Sequence, residues 1–400
     1  MRPFDEKRVL VGVSGGIAAY KTAELVRRIL QAGSEVQVIL TSSGARFVGP
    51  TTFEGLTGRP VHQSLWDGAL QHIELGRWAD AIVVAPATAN IIAKLAGGIA
   101  DDLLTTTLLA APRRALLAPA MNTRMFEHPA TQRNLETLQE YGHELVGPAF
   151  GGLAEGEEGW GRMVEPDVIL AYIGRQLEGE SRWRGMRVVV TSGPTWEPVD
   201  SVRFIGNRSS GRMGHAVAAA AWRRGADVVL ITGPSHVPAP PEIADVRSVE
   251  TAEEMGVALG EALADASAVF MAAAVADFRP SVTEEGKIRR SSGLASIAVE
   301  PCPDLLAAAR TRAPEGCVMV AFAVELGEGG VDSARGKLEA KGADLIVLND
   351  PSEPGAGFEV ETNRVTIIDA SGAAETLPQM LKTEVADEIL DRAERLLPGE

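Results

Sequence analysis

The sequence predicts an α/β protein made of two doubly wound, Rossmann-like domains. Three observations carry that prediction. Short apolar, β-branched runs alternate with amphipathic helical stretches along the whole chain. Gly, Pro, Ser and Asn collect just after those runs, where ligands bind at the carboxyl ends of parallel strands. The 400 residues are too many for one ordinary core and suit two domains. A polar connector, GRQLEGESRWRG at 174–185, separates the halves, so the domains are expected at 1–182 and 183–400.

Composition narrows the function. The net charge is −16. Residues 1–180 contribute −5 (16 basic, 21 acidic) and the rest −11 (22 basic, 33 acidic). With no broad basic face, no nucleic-acid partner is expected. The only cysteines, Cys302 and Cys317, argue against a disulfide framework or a thiolate metal site. The six histidines show no metal-ligand spacing. The charged N-terminus resembles neither a signal peptide nor a membrane span, and the longest later apolar run, 266–276, is too short to span. The expectation is therefore a cytoplasmic protein with no membrane partner.

In the first half, Arg8–Val13 reads as a strand, Ser14-Gly15-Gly16 as a tight loop, Ile17–Ala32 as a helix closed by Gly33, and Glu35–Leu40 as the next strand. This βαβ opening either cradles a phosphate at the helix N-terminus or uses its glycines only for packing. It has neither GxGxxG nor Walker A spacing. Ala81–Ala85 runs into Pro86-Ala87-Thr88-Ala89-Asn90, and Ala115–Leu117 into Ala118-Pro119-Ala120-Met121-Asn122. Asn122 suits either a bound carboxylate or amide, or an Asx turn. His72 is either a base near neutral pH or a structural histidine. Residues 150–163, with five glycines and three glutamates, read as a mobile flap or a solvated loop.

These motifs carry a resemblance. VSGGIAAYK, APATANIIAKLAGGIADDLL, APAMNTRMF and a flap ending GWGRM resemble the flavin-containing cysteine decarboxylases that act on phosphopantothenoylcysteine, over about residues 5–180. The resemblance implies a flavodoxin-like flavoprotein domain, trimeric packing, and FMN held by Ser14, Gly15, Gly16, Ser42, Thr88 and Asn90. It implies His72, in QHIEL, as the catalytic histidine, and Met121 and Asn122 as contacts to the substrate carboxylate. FMN would oxidise the thiol-bearing carbon, giving departing CO2 an electron sink that a plain acylcysteine lacks. The family usually carries a flap Cys as the final proton donor. Here the aligned position is Glu155, either a substitute acid or a simple flap residue. An ordinary carboxyl titrates near about 4.3, so donation at neutral pH needs the pKa raised by Glu157, Glu158 and flap closure.

The second half is organised around Arg187–Gly214, RVVVTSGPTWEPVDSVRFIGNRSSGRMG: a buried strand, a Gly/Ser/Pro loop with Arg203, Arg208 and Arg212, then a helix from about His215 to Arg224. Strand, loop and helix N-terminus together suit an anion. Alternation continues with strand Asp227–Ile231, helix Thr251–Ala264, strand Ala268–Ala273, helix Pro303–Arg310, strand Cys317–Ala323, helix Val331–Lys341 and strand Ala343–Leu348. Phe358–Val360 and Arg364–Ile368 are expected to pair as a hairpin across Thr362-Asn363, and a helix covers about Thr383–Leu397. Asp277 suits Mg2+, a ribose or a cap. Lys337 and Lys341, a turn apart, face one ligand or solvent.

TSGPTWEPVDSVRFIGNRSSGRMG, AAAVADF, KIRR at 287–290 and ADLIVLND resemble the phosphopantothenate–cysteine ligases over about 186–395. The resemblance implies a CTP-binding ligase domain, with CTP contacts at Asp277, Lys287, Pro303, Asp304, Leu305, Leu306, Phe322, Lys337 and Lys341. It assigns Asn207 to an acyl-cytidylate and Asp277 to Mg2+. CTP makes the carboxylate oxygen a leaving group, and Lys287 would offset charge at the α-phosphate. Arg203 and Arg208 are expected at the phosphopantothenate phosphate. Decarboxylase followed by ligase is the order of the bacterial bifunctional enzymes of coenzyme A synthesis. That order implies a homo-oligomer of trimers joined through dimers, a dodecamer, using 4′-phosphopantothenate, cysteine and CTP. Two rivals are an active ligase with a non-catalytic FMN-binding trimerisation domain, and a nicotinamide dehydrogenase, against which the missing GxGxxG weighs.

Overall fold

Val9, Val11 and Val13 of the first strand join one apolar cluster and Leu10 joins another, so this strand is buried on both faces, as a central parallel strand must be. The computed structural model describes residues 2–153, 156–288, 296–325, 329–357 and 359–399, and the chain forms two units, Met1–Gly179 and Glu180–Glu400.

The first unit runs β1 (Arg8–Val13), α1 (Ala19–Gln31), β2 (Glu35–Leu40), α2 (Pro50–Thr57), α3 (Gln71–Trp78), β3 (Ala81–Ala87), α4 (Ala89–Ala96) and α5 (Leu103–Ala110). It continues with β4 (Leu116–Pro119), α6 (Thr123–Glu127), α7 (Pro129–Glu140), β5 (Glu144–Leu145), β6 (Ala149–Gly152), β7 (Glu158–Arg162) and α8 (Pro166–Leu177). Five parallel strands lie in the order β2-β1-β3-β4-β5, the flavodoxin-like order, which reverses direction between β1 and β3. Leu25 and Ile29 of α1 and Ile169 and Ile173 of α8 cover one face, while Ile92, Leu104 and Leu108 cover the other.

The second unit runs β8 (Arg187–Ser192), β9 (Trp196–Pro198), β10 (Phe204–Gly206), α9 (Arg212–Arg223), β11 (Asp227–Thr232), β12 (Asp245–Ser248), α10 (Ala252–Ala262), β13 (Ala268–Met271), β14 (Phe278–Pro280) and β15 (Val299–Pro301). Then follow α11 (Leu305–Arg312), β16 (Val318–Val324), α12 (Gly330–Lys341), β17 (Leu345–Asn349), β18 (Thr362–Asn363), β19 (Val365–Asp369), β20 (Ala374–Thr376), β21 (Met380–Leu381) and α13 (Lys382–Leu396). Its large sheet is ordered β12-β11-β8-β13-β16-β17-β19-β20. The first six strands are parallel and follow the 3-2-1-4-5-6 Rossmann order, with the reversal between β8 and β13. Trp183, wholly buried, packs within 6.2 Å of Phe270.

Two expectations are corrected. The hairpin across Thr362-Asn363 does not form: Thr362–Asn363 is itself a strand paired with Met380–Leu381, and Phe358 lies outside the described residues. Val365–Asp369 instead adds antiparallel to β17, burying Ile367 and Ile368, and turns into β20. Burial on a long sheet outcompetes a local turn. The helix expected from about His215 begins at Arg212, which moves that arginine into its first turn. Among the described residues, no helix is long and apolar enough to cross a membrane.

Candidate active sites

In the first unit the loops after β1, β2 and β3 converge at the switch point. Ser14 Oγ donates to the Pro86 carbonyl at 2.7 Å and lies 3.2 Å from Thr88 Oγ1. A β-carbon on Gly15 would run into Ser43, so that glycine is required by close approach, whereas one on Gly16 would sit at ordinary contact distance, 3.4 Å, from Thr88. Ser42 and Asn90 are exposed beside this cluster, on the loop after β2 and at the start of α4. No side chain caps α1; its first-turn N–H groups on Ala19, Tyr20 and Lys21 donate to the Gly16, Ile17 and Ala18 carbonyls, which leaves the Ser14 and Thr88 hydroxyls as the polar groups of this cluster. Ser14, Gly15, Gly16 and Thr88 are thus brought together by their own contacts. That cradle fits the phosphate end of a flavin mononucleotide.

His72 sits in the first turn of α3, with Nδ1 buried and without a partner. Gln71 beside it is held by His62, whose Nδ1 is 2.9 Å from the Gln71 amide nitrogen. The Gln37 amide oxygen is 3.0 Å from His62 Nε2. Burial depresses the His62 pKa, against a smaller opposing pull from Asp67, so a neutral ring bridges the two amides.

Asn122 caps α6: its Oδ1 accepts from Arg124 N–H at 2.8 Å, so the turn reading is realised. Within the expected flap, Ala149–Gly152 and Glu158–Arg162 form the antiparallel pair β6–β7, which lies on the Asn122 loop. Met121 N–H donates to the Gly161 carbonyl at 2.9 Å. A β-carbon on Gly159 would run into Thr123. Phe150 and Trp160 meet edge to face at 5.7 Å across the pair. Arg162 and Lys21 both bond Glu165 at the hairpin's base, Lys21 at 2.8 Å. Lys21, then the cost of burial, then Arg162 set the Glu165 carboxyl, and the cations win, holding it low. Glu155 falls outside the described residues.

In the second unit, Ser192 Oγ donates to the Gly211 carbonyl at 2.9 Å, and a β-carbon on Gly214 would meet Ser192 at 2.6 Å. These contacts press α9 onto the end of β8. A cavity of about 510 Å³ opens at the β8/β13 switch point. Asn207, Asp277, Pro303, Asp304, Leu305, Leu306, Phe322, Lys337 and Lys341 all line it. Asn207 donates from Nδ2 to the carbonyls of Ala274 and Val275, both at 3.1 Å, which ties the loop before α9 to the loop after β13. Asp304 caps α11, and its Oδ2 is 3.4 Å from Lys341 Nζ. Lys337 pairs with Glu325 at 2.5 Å, which holds that carboxyl low.

Arg203, Arg208 and Lys287 do not line this cavity. Arg203 Nη1 bonds Asp200 Oδ2 at 3.0 Å and its Nη2 donates to the Ile288 carbonyl at 3.1 Å. Burial would raise the Asp200 carboxyl, but N–H donors from Val202, Ile288 and Arg203 and the Arg203 charge outweigh it and hold it low. Two cationic lining residues escaped assignment from sequence. Arg212 was visible only as one of three loop arginines. Lys382 lies far along the chain, and nothing local marks it. Neither cysteine is poised as a thiolate: burial pushes Cys317 up to about 11, and burial, then Glu197, raises Cys302. Among the described residues, no group of three or more His, Cys, Asp and Glu could hold a metal ion.

Comparison with known proteins follows this division. Residues 2–178 match the family model described as Flavoprotein. Residues 183–396 match the one described as DNA/pantothenate metabolism flavoprotein C-terminal domain. The chain is 41% identical over 394 residues to Coenzyme A biosynthesis bifunctional protein CoaBC of Bacillus subtilis (strain 168), covering 97% of this chain and 96% of that protein. It is 42% identical over 400 residues to the protein of the same name from Mycolicibacterium smegmatis (strain ATCC 700084 / mc(2)155), covering 96% of each. A crystal structure of the C-terminal domain of a CoaBC protein is 33% identical, covers 53% of this chain and 96% of that one, and has a TM-score of 0.45.

Proposed function

The chain belongs to the family of bifunctional coenzyme A biosynthesis proteins, a flavoprotein decarboxylase joined to a ligase, and from that premise we propose how its residues divide the work. The second unit activates 4′-phosphopantothenate with CTP and joins it to cysteine. The first unit decarboxylates the resulting acylcysteine to 4′-phosphopantetheine.

One observation carries the ligase assignment: a single cavity at the topological switch point collects Asn207, Asp277, the 303–306 turn, Phe322, Lys337 and Lys341. The lysines are a turn apart on α12 and offer cations to CTP. Asn207 bridges the two loops that meet at the switch point, so an acyl-cytidylate held by it would be aligned for attack by the cysteine amine. Asp277 is a hard oxygen donor of the type Mg2+ takes alongside substrate phosphates. Arg203, Arg208 and Lys287 stand off the wall, so their assignment to substrate anions requires a surface beyond this cavity, such as that of a second subunit.

In the first unit, Ser14, Gly15, Gly16, Ser42, Thr88 and Asn90 would hold FMN. FMN, when bound, supplies the oxidation and re-reduction that make decarboxylation possible. His72 is the base, with Nδ1 available to a proton. Met121 and Asn122, under the β6–β7 hairpin, would hold the substrate carboxylate, which accepts from amide N–H groups. Glu155 is proposed as the acid.

A homo-oligomer in the cytoplasm, trimers joined through dimers into a dodecamer, belongs to the same proposal. It is supported by exposed apolar side chains such as Ile17 and Tyr20 in the first unit and Phe204, stacked on Trp196 at 4.1 Å, in the second. The test follows pyrophosphate and CO2 separately. His72→Asn should keep bound flavin and release pyrophosphate when given CTP, cysteine and 4′-phosphopantothenate, but release no CO2. Loss of pyrophosphate release as well would contradict the division of labour.

A further inference from the structure

We propose that Lys382, together with Arg212, holds the phosphate chain of the nucleoside triphosphate in the second unit's cavity; this rests on reading that cavity as the nucleotide site. The wall of the cavity includes Lys337, Lys341 and Phe322 as well as Gly211, Arg212 and Lys382. Its cations are not equivalent. Lys337 is neutralised by Glu325 at 2.5 Å and Lys341 faces Asp304 at 3.4 Å. Among the described residues, no ion pair joins Arg212 or Lys382 to a carboxylate. Arg212 Nε is buried and has no hydrogen-bond partner.

Two further features converge there. Arg212 opens α9, whose N-cap, Gly211, has φ +77° and provides no side-chain cap, leaving first-turn N–H groups for an anion. Lys382 is only 6% exposed. Its ammonium donates to the carbonyls of Gly357 (3.0 Å) and Val360, which uses two of its three donors. Burial, then repulsion from Arg212, lowers Lys382 to about 8, a strain that an anion between the two cations would relieve. The fold supplies the pairing across 170 positions by packing α13 against α9, where Arg223 and Arg224 bond the buried Asp387. Asn207 lines the same cavity, where the acyl group would be transferred.

The test is calorimetric titration of the full chain with CTP, CMP and inorganic pyrophosphate. Lys382→Met is expected to weaken CTP and pyrophosphate about tenfold or more, the usual effect of losing a charge-assisted hydrogen bond, and CMP about twofold or less. Arg212→Met leaves both carbonyl bonds of Lys382 intact and should show the same selective loss. Equal losses for CTP and CMP, or no loss in either variant, would overturn the assignment while leaving the cavity as a nucleotide site. A wild-type chain that binds neither CTP nor pyrophosphate would sink the cavity reading and this proposal with it.

Discussion

Met121 N–H donates to the Gly161 carbonyl at 2.9 Å, and a β-carbon on Gly161 would run into the Met121 carbonyl oxygen. The hairpin and the loop carrying Asn122 are therefore one packed surface, possible only because position 161 is glycine at φ +132°.

Gly161→Ala should lift β7 off that loop. The expected result is a decarboxylation rate lowered at least about tenfold, because misplacing a binding group by a fraction of an ångström has that effect. CTP-dependent pyrophosphate release, which belongs to the other unit, should stay unchanged. Parallel assays of CO2 and pyrophosphate check this, and equal loss of both would contradict it.

Asp387 is almost fully buried and faces both Arg223 and Arg224, the latter also 2.7 Å from Asp391. Replacing it by Ala takes a counter-charge from the buried Arg224, which keeps Asp391 and Glu394, and from the half-buried Arg223. The expected cost is about 3–5 kcal/mol, read as a lower denaturant midpoint for the second unit's transition. A change below about 1 kcal/mol would mean the cluster does not hold α13 to α9.

Burial holds His62, His143 and His215 below the ordinary histidine pKa. Unfolded histidines take up protons near about 6.5, whereas these native ones do so only at lower pH. Between those values the unfolded state binds more protons, so stability falls as pH drops through about 6.5. The melting temperature at about pH 5.5 should lie several degrees below that at about pH 7.5. His62→Gln, which keeps an amide between Gln37 and Gln71, should shrink that difference. An unchanged difference would show that His62 carries none of it.

Burial of Cys317, and partial burial beside Glu197 at Cys302, raise both thiols and leave them poor nucleophiles at neutral pH. The double variant Cys302→Ser, Cys317→Ser should therefore retain both activities within about twofold, judged by the same paired assays.

Much of this architecture was legible in the chain. Strands buried on both faces read as apolar runs, so β1, β2, β3 and β11 are found within two residues of their expected ends. The motifs after those strands identified the switch-point loops, where Gly15, Thr88, Asn207 and Asp277 now lie. What was not legible depends on distant pairing. Val365–Asp369 adds to β17 rather than turning back on its neighbours, because burial of Ile367 and Ile368 is worth more than a local hairpin. Lys382 carries no local signature, since its partners at Arg212, Gly357 and Val360 are assembled only by the sheet and by the packing of α9 on α13. Arg203 looked like a phosphate ligand because its charge is visible in sequence while Asp200, which consumes it, is not visibly its partner.

The central claim is that one chain performs both reactions in series, and mass spectrometry of its products tests that most directly. The purified full-length protein would receive 4′-phosphopantothenate, cysteine, CTP and Mg2+. The account predicts accumulation of 4′-phosphopantetheine, with the acylcysteine only transient. A reaction that stops at the acylcysteine would contradict it and leave the first unit as a flavin-binding scaffold for an active ligase.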